Sequence, residues 1–243
     1  MKMIYIPSGG ALEYAPYAIN IYKGCHHRCL YCYGPAALRK KKEDYFNNPD
    51  PKVNFIEHLR EDARKMRANG IEDEILISFI GDPYQPVEME LGLTRRTIEI
   101  LIENELRFTI LTKGGTRAVR DFDLLENYPK CSYGTSLVFS QQQSADIWDT
   151  QAALIEDRIA AIQEAKSSGI RTWMSLEPVI IPEQAIELIQ RLHPIIDHWK
   201  VGKINHCKAV ESRVDWIQFR EDVTSLLDSL EADFYIKDSL STL

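Results

Sequence analysis

Gly24-Cys25-His26-His27-Arg28-Cys29-Leu30-Tyr31-Cys32-Tyr33-Gly34-Pro35 gathers three of the chain's five cysteines at spacings of four and three residues. Thiolates suit soft and borderline metals, and cysteine ligation is how proteins hold iron–sulfur clusters. The stretch supplies no fourth cysteine, so one metal corner is left for an exogenous ligand, as a catalytic zinc keeps a position open. A structural zinc completed by His26 or His27 is the competing reading. The spacing disfavours it: both histidines lie too close to Cys25 to close a tetrahedron easily, and zinc loops usually draw their remaining ligands from a distant knuckle.

Upstream, Tyr17-Ala18-Ile19-Asn20-Ile21-Tyr22 alternates and is rich in β-branched and aromatic residues, so the cysteine loop follows a strand. Downstream, Arg39-Lys40-Lys41-Lys42 reads as a solvated basic face, and the breakers Asn47 to Pro51 lead into a helix over about 53–69. Further strands are expected at Glu74–Ile80, Phe108–Thr112, Ser132–Phe139, Thr172–Leu176 and His198–Val201, with a short additional one at Phe234–Ile236. Helices are expected near 94–104, 118–126, 150–167, 183–192 and 212–230. Glu74–Ile80 is nearly continuous in apolar residues, as a parallel strand covered on both faces would be. Strand–helix alternation without repeats or low-complexity tracts predicts an α/β fold built as a partial, open (β/α)6 barrel of parallel strands, short of the eight units of a closed one. No linker divides the chain, so residues 1–243 read as one domain, with 1–16 as an N-terminal lead and 231–243 as a C-terminal extension.

The 243 residues carry a formal charge of −7, which argues against a wholesale polyanion-binding surface and leaves room only for a local basic groove. No apolar run approaches the roughly 20 residues of a membrane span, and Met1–Pro7 is too short for a signal-peptide core. Five cysteines, an odd number with three clustered, fit a reducing compartment, so a cytoplasmic protein is expected.

In βα barrels the active site is assembled at the C-terminal ends of the strands. Polar residues fall there strand after strand: Cys25, Gly81-Asp82, Lys113, Ser136, Glu177 and Asn205. Each taken singly has a structural reading, Asp82-Pro83 as a turn and Glu177-Pro178 as a strand end. Parallel strands would nevertheless bring all of them to one rim.

The cysteine spacing, with an aromatic residue just before the last cysteine (Tyr31), resembles the radical S-adenosylmethionine (SAM) superfamily. The blocks 17–25, Asp82-Pro83-Tyr84-Gln85-Pro86-Val87-Glu88, Leu111-Thr112-Lys113 and Val201-Gly202-Lys203-Ile204-Asn205 are similar to its spore-photoproduct-lyase-like branch. The resemblance implies a [4Fe–4S] cluster on Cys25, Cys29 and Cys32, with SAM chelating the free iron. It further implies the backbone at Gly81 and the side chain of Asp82 near the SAM amino group, Lys113, Ser136 and Arg158 near its carboxylate or ribose, and Tyr31 beside the adenine. The implied chemistry is reductive cleavage of SAM to a 5′-deoxyadenosyl radical that takes hydrogen from substrate, with a flavodoxin- or ferredoxin-type electron donor and a nucleic acid or nucleotide as the first substrate class to test. Against true spore photoproduct lyases the chain is shorter, and Phe79 stands where they carry a hydrogen-donating cysteine, which puts thymine-dimer repair in doubt. Cys207 lies on the expected rim and Cys131 on the opposite one, where it reads as structural. Tyr84, Glu177, Asn205 and Cys207 form the expected substrate side. A nucleic-acid-binding or scaffold protein with a structural metal is the alternative.

Overall fold

Short β-branched runs become strands here only where a neighbouring strand takes up their backbone groups. The computed structural model describes residues 2–243. The chain opens with β1 (Ile4–Tyr5) and β2 (Tyr17–Ile19), and α1 (Gly34–Ala37), α2 (Lys42–Asn47) and α3 (Phe55–Ala68) follow the cysteine loop. Next come β3 (Ile75–Ile77), α4 (Glu88–Leu91), α5 (Leu93–Glu103), β4 (Phe108–Thr112), α6 (Phe122–Leu125) and β5 (Cys131–Ser136). The chain continues through α7 (Gln142–Trp148), α8 (Ile155–Ser167), β6 (Thr172–Val179), α9 (Pro182–Leu192) and β7 (His198–Lys203). It closes with α10 (Lys208–Glu211), α11 (Trp216–Ser229), β8 (Phe234–Ile236) and α12 (Asp238–Ser241).

The strands form one sheet in the order β1 to β8; β1 is antiparallel to β2, and every later neighbour is parallel. Edge strands β1 and β8 are not paired with each other, so the barrel stays open as expected. It has seven parallel strands rather than six, the seventh being Phe234–Ile236, so the region read as an extension contributes to the sheet. No helix of the described residues is long and apolar enough to cross a membrane.

Side-chain alternation along the strands sets two environments. Ile75, Ile77, Phe108, Ile110, Met174, Leu176, Trp199 and Val201 join the core between sheet and helices. Their neighbours Leu76, Leu111 and Trp173 turn to the inner face, where Ala15, Tyr14 and Phe79 pack against them. α3 shows the matching helical pattern: Phe55, Leu59, Ala63 and Met66 recur at turn spacing and are buried.

Several boundaries differ from expectation, among them the strand read as Ser132–Phe139, which ends at Ser136, and three others. The strand read as Glu74–Ile80 stops at Ile77 because Asn20 Oδ1 accepts the N–H groups of Phe79 (2.9 Å) and Ile80 (3.0 Å) and turns the chain away. The helix expected over 118–126 is a tight 3₁₀ stretch, Gly115–Asp121, followed by α6. The helix expected over 150–167 begins only at Ile155, as α8; a separate helix, α7, forms ahead of it, and residues 149–154 lie outside any helix. That break carries the site.

Candidate functional site

The cysteine loop leaves β2 and is fixed by backbone and amide hydrogen bonds before any metal enters. Cys25 N donates to Tyr45 O (3.1 Å), Gln85 Oε1 accepts from His26 N (2.9 Å), and Gln85 Nε2 donates to Gly24 O (3.2 Å). Gly81 has φ +77°, and a Cβ built on it would lie 2.7 Å from Gly24 O. Its missing side chain therefore serves the close approach of the β3 loop to the cysteine loop.

Cys25 and Cys29 are buried and Cys32 is half-buried. Burial, helped by nearby Asp82, pushes the Cys25 thiol up to about 12; burial also raises Cys29 and Cys32. Neutral thiols in an apolar setting beside Tyr45, Phe46 and Ile80 become thiolates once a cation binds them. Among the described residues no three His, Cys, Asp or Glu side chains are gathered closely enough to hold a single metal ion. Three thiols on one loop with no fourth cysteine in the stretch suit a cluster with an open corner better than a closed structural zinc.

Tyr31, Lys113, Ser136 and Arg158, far apart in sequence, converge on one carboxylate that sequence reading missed, Asp149. Lys113 Nζ lies 2.7 Å from Tyr31 Oη, 2.9 Å from Ser136 Oγ and 3.4 Å from Asp149, and Tyr31 also donates to Asp149. Arg158 contacts Asp149 at 2.7 Å with both side chains about 1% exposed. Arg158 thus braces Asp149, a buried partner that the sequence reading, which set Arg158 near the SAM carboxylate or ribose, did not include. Burial alone would raise the Asp149 carboxyl, but Lys113 and Arg158 together hold it well below the usual carboxylate range. Asp149 sits in the break between α7 and α8, and its neighbours clasp the cysteine loop. Leu30 N donates to Trp148 O (2.9 Å), Gln151 N to His27 O (2.9 Å), and Thr150 Oγ1 to Arg28 O (2.9 Å). The only sequence signal was two cations needing a counter-charge.

Asp82 is also more committed than expected. Its oxygens accept from Tyr84 N (2.8 Å), Thr112 Oγ1 (2.6 Å) and Lys113 N (2.6 Å), and His27 Nδ1 stands 3.5 Å away. Burial pulls His27 down to about 4, so it is neutral at pH 7. With those acceptor positions filled, Asp82 orders the loops that carry Lys113 and the cysteines.

The expected substrate side separates. Tyr84 is fully buried and packs in the main core, with Arg120 over its ring at 6.0 Å, so it offers no face to a base. The Pro83 and Pro86 turn points its ring inward. Glu177 is taken by Lys237 (2.8 Å) and by the hydroxyl of Tyr14. Asn205 is exposed after β7, bonding Lys203 O at 3.3 Å, and half-buried Cys207 precedes α10 and packs on the core.

The inner-face cluster around Tyr14 was not anticipated. Tyr14 inserts between Phe79 and Trp173, with centroids 5.6 and 6.0 Å away. Lys237 and Lys200 lie 4.5 and 5.0 Å from its ring centre, a cation–π arrangement. Lys200 Nζ donates to Glu13 O (3.0 Å) and Tyr14 O (2.8 Å), tying the N-terminal segment inside the barrel. Burial pulls Lys200 down to about 8. The unfolded chain, with an ordinary lysine near 10.4, binds more protons than the folded chain between those values, so folding stability rises with pH across that window. Wild type is expected to gain stability over Lys200→Met between pH 7.5 and 10, read by urea unfolding at each pH; a constant difference would show that Lys200 is hydrated.

Comparisons with known proteins agree with this architecture. An uncharacterized protein of Methanocaldococcus jannaschii is 29% identical over 167 residues, 68% of this chain and 61% of that protein. An uncharacterized protein of Mycobacterium tuberculosis is 25% identical over 182 residues, 72% of this chain and 52% of that protein. The chain therefore spans between half and two thirds of the length of these curated relatives. Among solved structures, a spore photoproduct lyase variant with bound AdoMet and dinucleoside spore photoproduct superposes with a TM-score of 0.72 at 15% identity, over 95% of this chain and 78% of that one. Streptococcus suis SuiB bound to S-adenosylmethionine gives 0.64 at 18% identity, over 90% of this chain and 50% of that one. At such identities the likeness speaks for the fold. The family model of the Radical SAM superfamily matches residues 19–193, from β2 and the cysteine loop through the Lys113–Asp149 network to the end of α9, and the chain belongs to that superfamily, whose members use a [4Fe–4S] cluster and SAM.

Proposed function

We propose that Cys25, Cys29 and Cys32 hold a [4Fe–4S] cluster and that SAM lies between this loop and the Lys113–Ser136 pair. The carrying observation is Tyr31: it sits between two of the cysteines in sequence, and its hydroxyl is 2.7 Å from Lys113 Nζ. A ligand touching both the open iron and Lys113 would therefore be gripped at both ends by parts already joined. Bound together, cluster and SAM supply an organic radical that takes a hydrogen atom from substrate, at the expense of one electron from a flavodoxin- or ferredoxin-type donor. The chain's own residues do the positioning. Lys113 and Arg158 present two positive charges against the single carboxylate of Asp149, which leaves a surplus suited to a carboxylate ligand. Lys113 and Ser136 offer the charge-assisted donor and hydroxyl, while Asp82 fixes the Lys113 backbone.

For the substrate we propose a nucleic acid or nucleotide, on the analogy of the dinucleoside in the spore photoproduct lyase structure. With Tyr84 buried and Glu177 paired, Asn205 and Cys207 remain as its candidate contacts at the end of β7. Anaerobic reconstitution with iron, sulfide, SAM and reductant is expected to yield 5′-deoxyadenosine; a colourless zinc protein without it would overturn the reading. Lys113→Ala is expected to weaken SAM binding by about 1.5–3 kcal/mol, the range for a hydrogen bond to a charged group. Equilibrium dialysis against labelled SAM measures it, and unchanged affinity would remove Lys113 from the pocket.

A further inference from the structure

Between Arg28 and Asn47 the chain carries five cations and two carboxylates, although its overall charge is −7. This basic segment starts inside the cysteine loop and wraps it. α2 lays Tyr45 and Phe46 against Cys25, with Cys32 at the margin. The Arg28 guanidinium lies 6.0 Å from the Phe46 ring centre and reaches Asn47, which puts Arg28 and α2 on one side of the loop. Arg39, Lys41 and Lys42 are exposed, and among the described residues neither they nor Arg28 enter an ion pair. Between these cations stand exposed apolar side chains, Leu30 and Tyr33 at 54% and Leu38 at 37%. An apolar centre with a charged rim is how protein interfaces are built.

Two of the cations occupy unusual backbone positions. Arg28 and Arg39 have φ of +53° and +52°. Arg39 ends α1 in a turn where Lys40 N meets Pro35 O (2.9 Å) and Arg39 N meets Ala36 O (3.1 Å), the position glycine usually fills. Gly70 fills it after α3, with φ +64°. Glu105 and Glu231 take the same position after α5 and α11, at φ +57° and +50°, so the turn itself expresses no preference for a cation, and it is the unpaired cations and the exposed apolar side chains that favour a partner.

We infer that the Arg28–Asn47 face is the docking surface for an acidic, low-potential one-electron carrier protein. The inference rests on the proposed cluster at Cys25, Cys29 and Cys32, which this face covers. On docking, the carrier is oxidised by one electron and the cluster is reduced by one; no bond forms or breaks in that step. Complementary charge steers encounter and orients the carrier over the loop margin, where Cys32 is the most exposed of the three thiols. A polyanionic nucleic acid is the poorer match: Tyr33 is the one exposed aromatic side chain of the patch, and its hydroxyl is engaged by Phe79 O at 3.1 Å, whereas single-strand binding uses several stacking platforms.

The test compares reconstituted wild type with Arg39→Glu/Lys41→Glu. Binding of an acidic flavodoxin is measured by calorimetry, and cluster bleaching is followed with reduced flavodoxin or with photoreduced 5-deazariboflavin, an uncharged small reductant. At 50 mM salt the double variant is expected to bind and be reduced by flavodoxin at least tenfold more weakly and more slowly, while deazariboflavin reduces both proteins alike. At 500 mM salt the difference should shrink, because surface charges are then screened. Equal flavodoxin binding and reduction would overturn the inference. So would a variant that keeps flavodoxin reduction but loses binding to a single-stranded oligonucleotide, which would give the face to a polyanion. A wild-type protein that forms no cluster fails at the earlier step and is recognised by its missing visible absorbance.

Discussion

Replacing Cys25, Cys29 or Cys32 by alanine is expected to abolish both the visible absorbance of the reconstituted protein and its formation of 5′-deoxyadenosine, down to the level of a control without enzyme. If these three thiolates hold the four irons, as proposed, no spare ligand would cover a lost one, and the free iron would have to stay open for SAM. The loop's backbone is held independently by Tyr45 O, Trp148 O and Gln85, so the variants should fold. Far-ultraviolet circular dichroism checks that. Cys131→Ala is the control: its thiol lies at the start of β5, donates to Tyr128 O at 3.1 Å and is remote from the loop in the barrel, so cluster and turnover should survive. A triple alanine variant that still cleaves SAM would end the radical reading.

The second large effect is expected at Asp149. Asp149→Ala leaves Arg158, about 1% exposed, without its counter-charge, and breaking a buried pair in this way costs on the order of 3–5 kcal/mol. At about 2–4 °C per kcal/mol for a protein of this size, the melting temperature should fall by roughly 10 °C. Tyr31 would lose its acceptor at the same time, so SAM affinity should fall together with stability. Removing both charges should be milder than removing one, because nothing charged is then stranded: Asp149→Asn/Arg158→Met is expected to recover part of the loss. An Asp149→Ala protein within about 1 kcal/mol of wild type would mean that water reaches Arg158 and that the network is worth no more than a surface ion pair.

The comparison of Asp149 with Lys113 shows how far the chain could be read without coordinates. Lys113 was visible because it follows an apolar strand, and strand ends in a parallel barrel converge. Asp149 follows no strand. It meets Lys113 and Arg158 through a helix break that neither periodicity nor a Gly or Pro signal marks, just ahead of residues 150–167, which read as one helix. Gln85 and Asn20 escaped for a related reason: their work is to accept or donate backbone hydrogen bonds across 59 residues, which no local pattern encodes. Tyr84 was misplaced because a position on the rim does not say whether a side chain points toward the site or beneath it.

The sequence by itself determined the cysteine loop after the first parallel strand, the parallel strand–helix order, the open barrel, and the rim positions of Lys113, Ser136 and Glu177. These are consequences of spacing and alternation, which are local. Tertiary structure alone decided which rim residues are free and which are spent: Asp82 on the loops, Arg158 on Asp149, and Glu177 on Lys237 and Tyr14. It also added β1, whose two residues mean nothing until β2 offers them a ladder, and it brought the Tyr14 segment into the barrel. The physical reason is pairing. A buried charge or donor must find its partner wherever the folded chain brings one, and the free energy of that match depends on distances in space that separation along the chain does not determine.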